Sequence, residues 1–207
     1  MMIDNSRVKA VIFDWGGVCC SGAEPFNSKI LQKQLNMTLD QVTESALPIY
    51  IDYALGKYQK DKFWRMVIEH FNLTADKNIR AEELSKAYID SYVFYDDVSA
   101  LVKQLRETYQ IGLLSNLTPE MREHIRAVHE TKSLFHEEVY SCDPGVAILK
   151  PERGAYQAIL SKLGKTADEC LFIDDSQKNI DAAAELGMQT IIFKDKASVL
   201  KDLTTLL

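Results

Sequence analysis

Apolar residues recur along this chain in two arrangements. The first is a short continuous run that stops at a polar or glycine-containing loop. Val8, Ala10, Val11, Ile12 and Phe13 run into Asp14 and the Gly16-Gly17 pair, the pattern of a buried strand entering a tight loop. Residues 110–114, 169–173 and 189–193 repeat it, ending at Ser115-Asn116, Asp174-Asp175 and Lys194-Asp195. The second arrangement has helical spacing: Val98, Leu101, Val102 and Leu105, then Tyr156, Ile159, Leu160 and Leu163, then Ile180, Ala183 and Ala184 before Gly187. Strands alternating with helices predict an α/β fold with a Rossmann-like parallel sheet covered on both faces. Polar residues just past the strand ends of such a sheet gather in one crevice at its carboxyl edge, so the chemistry is sought there.

Residues 21–94 break the alternation and read as consecutive helices. Thr38 with Gln41 forms a capping box, and Phe63, Met66, Val67 and His70 mark one helix face. The predicted organisation is a core domain of residues 1–20 and 95–207, with residues 21–94 inserted after the first strand as a small helical cap domain over the crevice.

Composition narrows the function classes. With 207 residues, 46% of them apolar, the chain can bury a full core and carry a small accessory domain. No apolar run approaches membrane-helix length, and Met1 to Lys9 lacks the apolar stretch of a signal peptide, so the expected location is cytoplasmic, with no membrane partner. A formal charge of −6 with no basic block argues against nucleic acid. Cys19, Cys20, Cys142 and Cys170 lack metal-ligand spacing and read as reduced thiols.

Four strand-end or helix-start signals then appear in order: Phe13-Asp14-Trp15-Gly16-Gly17-Val18, Leu113-Leu114-Ser115-Asn116, Lys150-Pro151-Glu152, and Phe172-Ile173-Asp174-Asp175-Ser176. Each alone is ordinary capping or turn chemistry. Together they bring the carboxylates of Asp14, Asp174 and Asp175 into one crevice, where like charges repel unless a cation compensates. Oxygen ligands without a neighbouring His or Cys favour a hard divalent ion.

In order and placement these motifs resemble those of the haloacid dehalogenase superfamily, over about Lys9 to Lys194. The resemblance implies Mg²⁺ as cofactor and a small phosphorylated metabolite as substrate. It makes Asp14 the nucleophile that becomes a transient aspartyl phosphate, with Asp14, the Gly16 carbonyl and Asp175 as metal ligands. Asp174 is implied as a further ligand or as a hydrogen-bond acceptor beside the metal. The Ser115 hydroxyl and the Asn116 backbone amide are implied as phosphate donors, and Lys150 as the positive charge beside phosphate and nucleophile. Residues 53–64 resemble the helical-cap segment in which Gly56 ends one helix and Phe63-Trp64 begins packing the next. Lys57, Lys60, Lys62 and Arg65 could meet a substrate from that segment, or form a solvated helix face. His70, His124, His129 and His136 sit at no strand end and are not expected to act as bases.

One position departs from the pattern. Phosphatases of this superfamily usually carry a second Asp two residues after the nucleophile as acid/base, and here that place is Gly16, where a glycine could hold a left-handed backbone. A branch containing sugar-phosphate phosphatases carries glycine there, so the implied function is a Mg²⁺-dependent phosphatase. The alternatives are dehalogenase-type hydrolysis, for which no arginine lies between Asp14 and Arg65 to cradle a halide, and a catalytically weak binding module. Substrate identity and oligomeric state are left open.

Overall fold

The computed structural model describes residues 3–23, 25–26, 29–73, 79–204 and 206. Five strands, β1 (Ala10–Phe13), β2 (Gln110–Ser115), β3 (Glu137–Tyr140), β4 (Cys170–Asp174) and β5 (Gln189–Ile192), form one sheet. Every neighbouring pair is parallel, in the order β3-β2-β1-β4-β5. The expected α/β fold is therefore present, with one strand more than the apolar runs indicated. β3 reads Glu-Glu-Val-Tyr, and its Glu138 is buried because Arg126 Nη2 meets its carboxylate at 2.7 Å. β4 also starts one residue later than expected and takes Asp174 into its last position.

Alternate residues of each strand face opposite sides, as the pleat dictates. Val11, Phe13, Ile111, Leu113, Leu171 and Ile173 pack into one apolar cluster, while Ala10, Ile12, Leu114, Cys170 and Phe172 pack into the other. The second cluster is closed by α8 (Arg153–Leu163) and α9 (Gln177–Glu185). The first is closed by α5 (Asp96–Leu105), α6 (Pro119–Val128), α7 (Thr131–Leu134) and α10 (Lys196–Thr204).

Between β1 and α5 lie α1 (Lys29–Leu35), α2 (Leu39–Ala54), α3 (Lys60–His70) and α4 (Ala81–Ile89), with no named strand among the described residues of that stretch. Residues 24, 27–28 and 74–78 of the expected cap lie outside the described residues. The Thr38 capping box forms: Gln41 N–H donates to Thr38 Oγ1 at 3.3 Å, and Thr38 N–H donates to Gln41 Oε1 at 2.9 Å. The buried face of α3 is turned from the expected one. Phe63, Trp64 and Val67 point inward, whereas His70 is exposed and shares a 2.9 Å hydrogen bond with Ser45. Among the described residues, no helix is long and apolar enough to cross a membrane.

Candidate active site

Strand register assembles the polar ends. Phe13 is level with Leu113 on one side and Ile173 on the other, so Asp14, Leu114 and Asp174, each one step further, share the carboxyl edge of the sheet. The chain passes outward from β1 through β2 and β3, then returns to the opposite flank of β1 at β4. Asp14 thus stands where strand order reverses, the place where open α/β sheets have their crevice.

Asp14 is buried, and its backbone N–H continues the ladder to Ile173 O at 2.9 Å. Its Oδ1 accepts from the Trp15 N–H at 2.7 Å and lies 2.9 Å from Lys150 Nζ. Beyond it the chain turns tightly, with the N–H groups of Val18, Cys19 and Cys20 all reaching the Trp15 carbonyl. The left-handed glycine of this turn is Gly17, at φ +79°, and not Gly16. A Cβ on Gly17 would lie 2.0 Å from Asp175 Oδ2, whereas one on Gly16 would meet only Gly22 Cα at 3.7 Å.

Lys150 is held from three sides. Its Nζ lies 2.6 Å from Asp174 Oδ2 as well as 2.9 Å from Asp14, with the side chain 1% exposed. Its backbone is clamped by the Asn116 amide, which donates to Lys150 O at 3.0 Å and accepts from Lys150 N–H at 2.8 Å. Asp174 has both oxygens engaged. Oδ1 accepts from Ser176 N–H at 2.8 Å and Asn179 Nδ2 at 2.9 Å, and Oδ2 accepts from Lys150 and from Asn179 Nδ2 at 3.1 Å. Asp174 is thereby the anchor that aims Lys150, and Asp175 is the solvent-exposed member of the set.

The electrostatics follow from burial. Desolvation raises the Asp14 carboxyl to about 6, with the Lys150 charge opposing and the Asp174 charge adding to the rise. Desolvation works against the Lys150 charge too, but Asp14 and Asp174 outweigh it and hold the ammonium above its ordinary value. Asp14, Asp174 and Asp175 each offer an oxygen within 4.8 Å of the others, three carboxylates against one lysine. That donor set suits a hard divalent cation.

A cavity of about 260 Å³ opens above these groups, reaching Asp14, Gly16, Ser115, Asn116, Lys150 and Asp175. These six expected site residues therefore border one space, whereas Asp174 is fully buried and does not line it. The lysines and arginine of the insert follow the solvated-face alternative: all are exposed, Lys57 pairs with Asp52 at 2.7 Å, Lys62 lies over the Tyr58 ring, and none of Lys57, Lys60, Lys62 and Arg65 lines this cavity. No histidine lines it either, and His124 and His129 instead share the Tyr92 hydroxyl. All four cysteines are free and buried.

Sequence reasoning missed four contributors. Asn179 stands in the first turn of α9, where an amide can reach back to the preceding strand end, and that position was its available signal. Tyr50 of α2 and Tyr88 of α4 join Ser21, Gly22 and Ala23 in the insert's share of the cavity wall, and Tyr88 shares a 3.1 Å hydrogen bond with Thr118. Glu120, buried in the first turn of α6, accepts from Trp64 Nε1 at 3.0 Å, from Tyr53 at 3.5 Å and from Ser85. Single aromatic and acidic residues carry no motif, so these contacts emerge only in three dimensions.

Known proteins resemble the chain over nearly its whole length. Sesquiterpene phosphatase astK of Aspergillus oryzae is 22% identical over 202 residues, covering 96% of each chain. Drimenol cyclase drtB of Aspergillus calidoustus is also 22% identical, over 96% of this chain, but the chain spans only 36% of that protein's length. The HAD family enzyme bt-2542 of Bacteroides thetaiotaomicron, solved with magnesium and inorganic phosphate, superposes with a TM-score of 0.78 at 20% identity, covering 93% of this chain and 98% of that one. The haloacid dehalogenase-like hydrolase family model matches residues 8–187, nearly the whole α/β core together with its helical insert, and the chain belongs to that family of hydrolases.

Proposed function

We propose that the chain is a Mg²⁺-dependent phosphatase that hydrolyses a small phosphate monoester, a sugar phosphate or a similar metabolite, through an aspartyl phosphate on Asp14. The observation that carries this reading is the buried Asp14 carboxylate facing a cavity, with Lys150 Nζ at 2.9 Å and two further carboxylates beside it. Asp14 attacks phosphorus as the bond to the leaving oxygen breaks, and water then opens the acyl phosphate to release phosphate and restore the carboxylate. Lys150, braced by Asp174 and Asn116, fixes the Asp14 oxygen that does not attack and sets a positive charge beside the transferring group. The Ser115 hydroxyl and the Asn116 backbone N–H are assigned to the phosphoryl oxygens. Mg²⁺, held by Asp14, the Gly16 carbonyl and Asp175, would neutralise charge on those oxygens. Oxygen-only donors with excess negative charge support that fit.

Residues 21–94 act as the cap and residues 1–20 with 95–207 as the core, a division supported by Tyr50 and Tyr88 reaching the cavity from the insert. The phosphatase name of the relative and the magnesium and phosphate bound by the structural neighbour support the chemistry. Four free thiols suit a reducing compartment such as the cytoplasm. The test is a screen of phosphorylated metabolites with and without Mg²⁺. Metal-dependent phosphate release from at least one ester is the expected result. Halide release from a haloacid without metal, or inertness toward every ester, would overturn the reading.

A further inference from the structure

We propose that this site selects a compact leaving group that carries no charge of its own, and that Tyr50 and Tyr88 impose the choice; the inference rests on the phosphatase reading above. The cavity lining is unevenly charged. Its charged lining among the described residues is Asp14, Asp175 and Lys150, all from the core. The insert's part of the lining, Ser21, Gly22, Ala23, Tyr50 and Tyr88, carries no charge.

No described cation is placed to receive an anionic leaving group. Lys150 is committed to Asp14 and Asp174, and Lys57, Lys60, Lys62 and Arg65 lie outside the cavity. A carboxylate or second phosphate against the tyrosine wall would lose water without gaining a counter-ion. Tyrosine rings instead offer flat apolar faces to a ring or to a sugar's C–H surface. Tyr50, partly exposed, is the ring that can offer such a face, and it packs edge-on against Phe26 at 6.3 Å, while Tyr88 is 1% exposed and fixed by its hydroxyl's bond to Thr118. A volume of about 260 Å³ is below the roughly 300–1,000 Å³ of drug-sized ligand sites, which keeps the leaving group small.

The test compares benzyl phosphate with 4-carboxybenzyl phosphate in Mg²⁺ buffer, since their leaving alcohols differ little in acidity and mainly in charge. The wild-type chain should favour benzyl phosphate in kcat/KM by at least about tenfold, as burying an unpaired carboxylate requires. Tyr50→Lys should shift that ratio toward the carboxylated ester by about tenfold, while Tyr50→Phe retains the wild-type preference. Inhibition by benzylphosphonate and its 4-carboxy analogue gives the same ratio on the wild-type chain, independent of chemistry and of any variant's folding. Equal use of both esters, equal inhibition by both phosphonates, or a Tyr50→Lys ratio identical to wild type would overturn the inference. Acetyl phosphate separates the two levels: its turnover alongside indifference to leaving-group charge rejects only the tyrosine assignment. Inertness toward it, toward both benzyl esters and toward every phosphorylated metabolite of the screen above rejects the phosphatase reading and this inference with it.

Discussion

At the scale of single residues, the site turns on a carboxylate kept from water. Asp14→Asn keeps the shape but removes the attacking oxygen, so turnover should fall by orders of magnitude, on the order of the 10⁶ seen when a covalent nucleophile is lost. The same variant has a stability signature. Burial raises the folded Asp14 pKa to about 6, above its ordinary 3.8, so the folded state binds that proton more tightly than the unfolded state does. Its contribution to stability is therefore full at low pH and is lost as pH rises through about 6. In metal-free buffer, Asp14→Asn should gain on wild type as pH rises from about 3.8 to about 6 and level off above that, measured as the difference in denaturant midpoints. A difference that stays flat over this window would mean that ionising Asp14 carries no penalty. The two glycines that follow separate equally well. Gly16 has room for a side chain, so Gly16→Asp should fold and should speed esters with poor leaving oxygens, by up to about 10²–10⁴-fold if the new carboxyl acts as proton donor. Gly17→Ala should instead disable the enzyme, because its Cβ overlaps Asp175 and its φ is left-handed. Equal kinetics for the two variants would contradict this geometry. The convergence of Asp14, Lys150 and the Asp174-Asp175 pair was legible in the sequence because each follows an apolar strand or opens a helix. Which glycine of an adjacent pair bends was not legible, since both permit the turn and only the position of Asp175 decides it.

At the scale of elements, the helical insert meets the core through polar contacts at the start of α6. The Glu120 carboxylate gathers donors from α2, α3 and α4, and Thr118 just before the helix engages Tyr88. A carboxylate near the N-terminus of a helix is favourably placed against the helix dipole. Glu120→Ala would leave the buried Trp64 N–H and its neighbours without an acceptor, at about 1–3 kcal/mol for each group left unpaired, so a loss of several kcal/mol is expected in urea titrations. A variant within about 0.5 kcal/mol of wild type would show that this contact does not hold the insert. The same packing explains what the apolar pattern could not supply. α5, α8 and α9 were readable because each turns a regular apolar stripe to the sheet. β3 was not, because its burial depends on Arg126 arriving from α6 to match Glu138, and a pair of glutamates reads as loop until that partner is in place. The face of α3 was misjudged for a related reason: Trp64 is drawn inward by Glu120, which leaves His70 outside.

At the scale of the whole molecule, the sheet edge concentrates negative charge in a chain that is already acidic, with a formal charge of −6. Asp14, Asp174 and Asp175 converge while Lys150 alone among the described cavity-lining residues opposes them, so the folded chain holds repulsion that a cation relieves. The convergence exists only once β1 and β4 pair, and the unfolded chain lacks it. Binding to the folded state alone adds stability by mass action, about 2.7 kcal/mol when the ligand stands at 100 times its dissociation constant. For a chain of this size each kcal/mol moves Tm by about 2–4 °C, so saturating Mg²⁺ should raise Tm by roughly 5–10 °C. Asp175→Asn should lose most of that rise while melting normally without metal, because Asp175 is exposed and is replaced by a group of the same size. The rise should also shrink at about pH 5, where protons compete with the metal for Asp14, whose carboxyl lies near 6. The sign of that dependence separates specific binding from general salt screening, which has no reason to follow the Asp14 titration. Melting that is indifferent to millimolar Mg²⁺ at neutral pH, or a rise that survives both Asp175→Asn and acid, would place the metal elsewhere and leave the carboxylate cluster without its assigned ion.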